Sequence, residues 1–178
     1  MKNSYTIFGK GFVGTNIVKF LKKKKYEVFV PKKGKYKFNS NLHNIIYCIG
    51  NDKWITDPEG CYNANLGIVS KIIFNNKFSS FTLLSTTRIY LSNPSTKTKE
   101  SNLIYVDPNT NDFLFNSLKL SAENLCLSLP NKRIKVARIS NLFGDNFTNQ
   151  NYLLPTLIRD SINNKKINIF VNKNSSKD

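Results

Sequence analysis

The chain has 178 residues, 40% of them hydrophobic, enough to bury a real core as one compact unit, which excludes an extended disordered polymer. Its formal charge of +16 arises from 27 basic against 11 acidic residues, but only four of the basic ones are Arg (Arg88, Arg133, Arg138 and Arg159) and the lysines accompany 26 Asn. That usage matches an AT-rich coding sequence rather than an Arg-led phosphate-reading surface, so nucleic acid is not the expected partner.

In chain order, Tyr5 to Phe8 is a short apolar run that meets the cluster Gly9-Lys10-Gly11-Phe12-Val13-Gly14. Phe12 to Lys25 then puts Val13, Ile17, Phe20 and Leu21 on one helical face, ending in the basic run Lys22 to Lys25, whose cations suit the helix dipole. Tyr26 to Val30 reads as a second strand stopped by Pro31, and Asn44 to Ile49 as a buried parallel strand. Ala64, Val69, Ile72 and Ile73 predict a helix from about Tyr62 to Asn75, followed by a strand over Phe81 to Leu84. After a polar loop from Ser92 to Thr110, a helix is expected over Phe113 to Leu129, closed by Pro130 and Asn131. Ile134 to Ile139 predicts a strand, Tyr152 to Ile162 a helix and Ile167 to Val171 a last short strand. Strands alternating with helices indicate an α/β fold, a doubly wound parallel sheet of the Rossmann type. The expected division is a dinucleotide-binding domain over residues 1–150 and the start of a C-terminal substrate region over 151–178.

The three cysteines, Cys48, Cys61 and Cys126, are odd in number and not closely spaced, and His43 is the sole histidine. Reduced thiols in a cytoplasmic protein are therefore expected, with neither a disulfide frame nor a metal site. No apolar run has signal-peptide or membrane-spanning length, so no membrane partner is expected.

A glycine-rich turn between a strand and an amphipathic helix lets the backbone approach a pyrophosphate, whose charge then faces the free N–H groups of the helix start. Gly9, Gly11, Phe12, Val13 and Gly14 are the candidate cofactor residues on this ground; a turn whose glycines only permit close packing is the competing explanation. An acid about 20 residues beyond such a turn ordinarily receives the ribose hydroxyls of NAD. Here Pro31, Lys32, Lys33 and Lys35 occupy that region. The cofactor is thus NAD or NADP, with Lys32 or Lys33 tipping the balance toward the 2′-phosphate of NADP, unless this is merely an exposed basic loop.

With these residues in place, the chain resembles the extended short-chain dehydrogenase/reductase family, the NAD(P)-dependent epimerases and dehydratases of nucleotide sugars. Besides the turn, the resemblance rests on Ile45-Ile46-Tyr47-Cys48-Ile49-Gly50, on Asn63-Ala64-Asn65-Leu66-Gly67, on Leu84-Ser85-Thr86-Thr87-Arg88-Ile89-Tyr90, and on Arg138-Ile139-Ser140-Asn141-Leu142-Phe143-Gly144. It implies that Cys48, Ile49 and Gly50 pass the cofactor, that Ile139 and Ser140 flank the nicotinamide, and that Asn141 faces a nucleotide-sugar substrate. Asn65 is implied to support the site, and Thr86 to hydrogen-bond the reacting oxygen.

Two departures from the family pattern bear on activity. The turn is one residue shorter than Gly-x-x-Gly-x-x-Gly, and the catalytic Tyr-x-x-x-Lys is replaced by Phe115-Asn116-Ser117-Leu118-Lys119. A spacing of four keeps Phe115 and Lys119 on one helical face, so Lys119 is still implied to touch the nicotinamide ribose. A phenyl ring, however, has no proton to exchange, and an ordinary alcohol such as Thr86 is a poor base near neutrality. Asp52, Asp57 and Cys48 are the candidate substitutes. The resemblance therefore implies a nucleotide-sugar epimerase, dehydratase or reductase with impaired or altered catalysis; the alternative is a non-catalytic dinucleotide-binding module for sensing or assembly. The stretch from Ile167 to Asp178 resembles the approach to a substrate-covering region, and an incomplete cover would leave apolar surface that favours association, such as a homodimer.

Overall fold

The apolar runs form five strands of one parallel sheet, β1 (Ser4–Phe8), β2 (Glu27–Phe29), β3 (Asn44–Tyr47), β4 (Ser80–Thr86) and β5 (Arg133–Ile139), in the order β2-β1-β3-β4-β5. The computed structural model describes residues 4–94, 97–130, 133–144 and 153–165. Between the strands run α1 (Phe12–Lys23), then α2 (Pro58–Tyr62) continuing through a π-helical segment (Asn63–Gly67) into α3 (Ile68–Asn75), and α4 (Phe113–Leu127). Right-handed crossovers that run outward from β1 in opposite directions put α1 on one face of the sheet and α3 and α4 on the other, the doubly wound arrangement expected.

The main core lies under α3 and α4. Phe8, Ile45, Tyr47, Phe81 and Leu83 from the sheet pack against Val69, Ile72 and Ile73 of α3 and Ala122 and Cys126 of α4. In β4 the period of two turns Phe81, Leu83 and Ser85 inward, and leaves Thr82, Leu84 and Thr86 half-buried. Tyr47 Oη donates to the Ala64 carbonyl at 2.5 Å, tying β3 to the π-helical segment.

The chain separates into two compact units, Met1–Ile139 and Ser140–Asp178. The second contains α5 (Leu153–Asn164), which carries Leu154, Ile158 and Ile162 exposed at a spacing of four and an Arg159 to Asp160 ion pair at 3.6 Å. The expected boundary between residues 150 and 151 and the expected strand Ile167 to Val171 both lie outside the described residues.

Several element ends differ from expectation for local reasons. The helix expected from Tyr62 begins four residues earlier, because Asp57 accepts from the Gly60 N–H at 3.0 Å as an N-cap and Pro58 follows at the first helical position. Phe20, expected on the buried face of α1, is 59% exposed; Gly14 and Leu21 are the buried residues, with Val13, Ile17 and Val18 half-covered. α1 stops at Lys23, two residues short of expectation, in a Schellman closure: the Lys25 N–H donates to the Lys22 carbonyl at 2.9 Å and the Tyr26 N–H to the Leu21 carbonyl at 3.1 Å.

That closure places Lys25 at φ +62°, a conformation normally taken by glycine. Lys25→Gly should therefore raise the unfolding free energy by about 0.5 to 1 kcal/mol, after the greater freedom of glycine in the unfolded chain is subtracted. Urea melts of the two proteins measure this; an unchanged or lower midpoint would contradict it.

Candidate functional site

Because every strand is parallel, the segments that leave their C-terminal ends gather along one rim of the sheet, and the chain's reversal between β1 and β3 opens the crevice there. The glycine turn follows β1, Cys48 to Gly50 follow β3, Thr86 ends β4 and Ile139 ends β5 opposite it.

At the crevice the backbones touch. Gly9 has φ +107°, and a Cβ there would lie 2.9 Å from the Cys48 carbonyl carbon and 3.0 Å from the Ile49 nitrogen. A Cβ on Gly14 would stand 2.0 Å from the Gly9 carbonyl oxygen. The Cys48 N–H donates to the Phe8 carbonyl at 2.7 Å, closing the two strand ends together. Gly11 differs: it is the N-cap of α1 with an extended backbone, and a Cβ on it would meet nothing within 4 Å. Packing therefore explains Gly9 and Gly14 but not Gly11. Phe12 and Val13, the first residues of α1, are half-buried behind it.

The second cluster lies where α4 and the π-helical segment meet the ends of β3 and β4. Lys119 is 6% exposed; its Nζ donates to the Leu84 carbonyl at 3.2 Å and stands 3.9 Å from where a Cβ of Gly50 would be. The Asn65 carboxamide oxygen is at the same 3.9 Å from that point, so Gly50, Asn65 and Lys119 converge. Asn65 Nδ2 is spent on the carbonyls of Asn51 (2.7 Å) and Cys61 (2.9 Å), while Asn65 Oδ1 and Ser85 Oγ are buried with no hydrogen-bond partner among the described residues. Burial pushes the Lys119 ammonium down to about 8, in spite of the opposing influence of Cys61 and Glu123.

Phe115, one turn before Lys119, is 6% exposed, and its ring centroid is 5.9 Å from Lys119 Nζ, so the pair does share a face of α4. The ring packs on Cys61 and Leu118, with Trp54 at 5.7 Å between centroids, and the Arg88 guanidinium lies 6.0 Å above it. Thr86 caps the following 3₁₀ turn (Thr87–Tyr90), its Oγ1 accepting from the Arg88 N–H at 3.2 Å. The hydroxyl proton of Thr86 is thus left for another acceptor.

Two of the three candidate substitutes, Cys48 and Asp57, are poorly suited to proton transfer. Burial pushes the Cys48 thiol up to about 12, and Asp57 is committed to its capping bond and to the Asn51 carboxamide at 2.8 Å. Lys32 is exposed in the loop after β2, and its carbonyl accepts from the Lys35 N–H at 3.1 Å. Ser140 and Asn141 are exposed residues of the second unit. Sequence reasoning passed over Ser85, Arg88 and Glu123. Period-two alternation in β4 was the signal for Ser85. Glu123, at 1% exposure, receives Arg138 Nε at 3.1 and 3.2 Å and Arg138 Nη2 at 2.7 Å, which joins α4 to β5. Its place four residues after Lys119 made it visible only as a helical neighbour. Among the described residues no group of His, Cys, Asp and Glu is arranged to hold a metal ion, and no helix is long and apolar enough to cross a membrane.

The buried ammonium should cost stability. Folded Lys119 loses its proton at about 8, against 10.5 when exposed, so the cost is full below pH 8 and vanishes as pH rises toward 10.5. Lys119→Met is accordingly expected to stabilise the fold at pH 7 by on the order of 2 kcal/mol, and by clearly less at pH 10. Urea unfolding of both proteins at the two pH values tests this; a pH-independent difference would contradict it.

No family model and no curated protein sequence matches the chain. Solved structures do. A tyrosine-to-phenylalanine variant of UDP-glucuronic acid 4-epimerase from Bacillus cereus, in complex with UDP-4-deoxy-4-fluoro-glucuronic acid and NAD, superposes with a TM-score of 0.74 at 16% identity, over 94% of this chain and 65% of that one. The NAD-dependent NDP-hexosamine 5,6-dehydratase TunA of tunicamycin biosynthesis gives 0.73 at 15% identity, over 91% and 62%. RMD from Pseudomonas aeruginosa, complexed with NADPH, gives 0.59 at 19% identity, over 75% and 52%. The chain thus spans between half and just under two thirds of the length of these structures. It has the Rossmann-type α/β fold that they share.

Proposed function

We propose that this chain binds NAD or NADP across the crevice between β1 and β3 and presents it to a nucleotide sugar beside Thr86, Phe115 and Lys119. The observation that carries the reading is the convergence of the buried Lys119 ammonium, Gly50 and Asn65 on the same rim as the glycine turn. Neighbours of the same fold were captured with NAD or NADPH, and with a uridine-linked sugar in the Bacillus cereus case.

The residues present fit a dinucleotide. Open space at Gly11, over the first N–H groups of α1, suits a pyrophosphate, which the dipole and unsatisfied donors of the helix start would favour. Lys119 Nζ, with one hydrogen spent on Leu84, keeps two donors for ribose hydroxyls. Asn65 Oδ1 and Ser85 Oγ are buried polar atoms that lack partners at the same rim. Lys32 favours NADP over NAD, and Ile139, Ser140 and Asn141 keep the roles that the resemblance implies. When bound, the nicotinamide supplies a hydride acceptor or donor. Thr86 orients the reacting oxygen, and the Lys119 charge lowers the cost of negative charge developing there. With Phe115 in the phenol's place, the ring itself carries no proton, so turnover is slow.

A second reading follows from the sealed position of Phe115 among Trp54, Cys61 and Leu118: a module that binds the dinucleotide without turnover and acts through association, including a homodimer.

Gly11→Ser separates a binding turn from a merely structural one. A Cβ at this N-cap meets nothing within 4 Å and serine offers a capping oxygen, so thermal stability should hold or rise. Affinity for NADPH and NADH, followed by nicotinamide fluorescence, should drop about tenfold or more as the pyrophosphate is displaced. Absence of binding to the unmodified chain at millimolar concentration would remove the cofactor reading. Phe115→Tyr, assayed for cofactor reduction with a panel of nucleotide sugars, should raise turnover by about 10²-fold or more. Continued silence with the cofactor bound would favour the non-catalytic module.

A further inference from the structure

Among the described residues Arg88 is the one arginine at the Phe115 site; its side chain ties the 3₁₀ turn to the start of α4 through Asp112, and the hydride-transfer reading gives it no further task. Its backbone N–H donates to Thr86 Oγ1, while its guanidinium turns toward α4, 5.2 Å from the Trp54 ring centroid and 6.0 Å from that of Phe115. Asp112 accepts from Arg88 Nη2 at 2.7 Å. Burial alone would raise the Asp112 carboxyl, but hydrogen bonds from Arg88 and Asn116 outweigh it and hold the pKa below its ordinary value, so the group stays charged. Two aromatic faces and one carboxylate thus fix the guanidinium on one edge, and the rest of its fork of donors has no partner among the described residues.

The surroundings carry unpaired donors as well as the Asp112 carboxylate and the buried Asn116 Oδ1, which has no donor among the described residues. Lys119 Nζ lies 5.9 Å from the same Phe115 ring, and Trp54 Nε1 is buried without an acceptor. The side chain of Arg88 is 44% exposed, so it stands where a ligand can reach it. A pre-oriented guanidinium over the reacting position is suited to a planar anion held by two parallel hydrogen bonds.

We propose that Arg88 recognises a carboxylate carried on the sugar ring, so that the substrate class is an acidic sugar nucleotide rather than a neutral one. This rests on the reading of the chain as a nucleotide-sugar binder. Asp112 is the positioning residue: it occupies Nη2 and presents the remaining donors to the sugar. The diphosphate of the nucleotide is the other anion that an arginine could meet. The location of Arg88 beside Thr86 and Phe115, at the reacting end, favours the sugar carboxylate.

The test uses the full chain saturated with its preferred dinucleotide and titrated calorimetrically with UDP-glucuronic acid, UDP-glucose and UDP. Trp54 is the sole tryptophan, so its fluorescence reports whether binding occurs at this site. UDP-glucuronic acid is expected to bind about tenfold or more tightly than UDP-glucose and to perturb Trp54. Arg88→Ala should bring the two affinities together, and Arg88→Lys should retain part of the difference as a point charge. Circular dichroism establishes that both variants are folded, and Asp112→Asn, which leaves the guanidinium in place but loosens it, should narrow the difference as well. Equal affinities in the unmodified chain, or a preference that survives Arg88→Ala, would overturn the proposal. Equal weakening of all three ligands by Arg88→Ala would also overturn it, by assigning the arginine to the diphosphate. Dinucleotide binding with no response to either sugar removes this inference alone, whereas no response to NAD or NADP removes the underlying reading with it.

Discussion

Position 14 has room for a hydrogen and nothing larger: a Cβ there would stand 2.0 Å from the Gly9 carbonyl oxygen, and a Cβ on Gly9 would in turn meet the Cys48 and Ile49 backbone at 2.9 to 3.0 Å. This three-way backbone contact sets the distance between the end of β1, the start of α1 and the end of β3. Everything at the rim follows from it. The first N–H groups of α1 face the crevice only because the turn is this tight, and Cys48 to Gly50 pass beneath it only because neither glycine carries a side chain. Overpacking at either point costs at least about 1 to 3 kcal/mol, since backbone rather than a flexible side chain would have to move.

The other half of the site is held by burial against charge. Lys119 is kept nearly out of water by Phe115, the π-helical segment and β4, and its ammonium survives there through the Leu84 carbonyl. Neighbouring Glu123 is more deeply buried and is matched by Arg138, whose remaining donors reach Tyr90 Oη and, at 3.4 Å, the Glu100 carbonyl. Buried pairs of this kind stabilise little beyond an apolar equivalent, yet removing one partner costs several kcal/mol. Their effect is to fix α4 against β5 and against the segment after Tyr90, and so to fix the face of α4 that carries Phe115 and Lys119.

A phenyl ring at position 115 limits what that face can do, since it has no proton to give or take. The ring at position 115 sits in an apolar nest of Cys61, Leu118 and Trp54, with Arg88 over it. A nest of this kind stabilises an aromatic ring by packing whether or not it bears a hydroxyl. The packing of α4 on the π-helical segment and on β4 therefore does not depend on a hydroxyl at this position.

Much of this was legible in the amino-acid order. Periodicity gave the alternation of strands and helices, because the core stripe of each element repeats at 2.0 or 3.6 residues, and the glycine turn announced the crevice because only glycine tolerates that conformation and approach. The spacing of four between Phe115 and Lys119 put them on one face. Element ends were less legible: the cap at Asp57 and the left-handed closure at Lys25 depend on single hydrogen bonds. Long-range geometry decided the rest. That Arg88 lies over a ring 27 residues away, that Ser85 rather than Thr86 turns inward, and that Glu123 meets Arg138 are consequences of which strand lies beside which. Local periodicity carries no information about such neighbours, since they are set when the helices settle on the sheet.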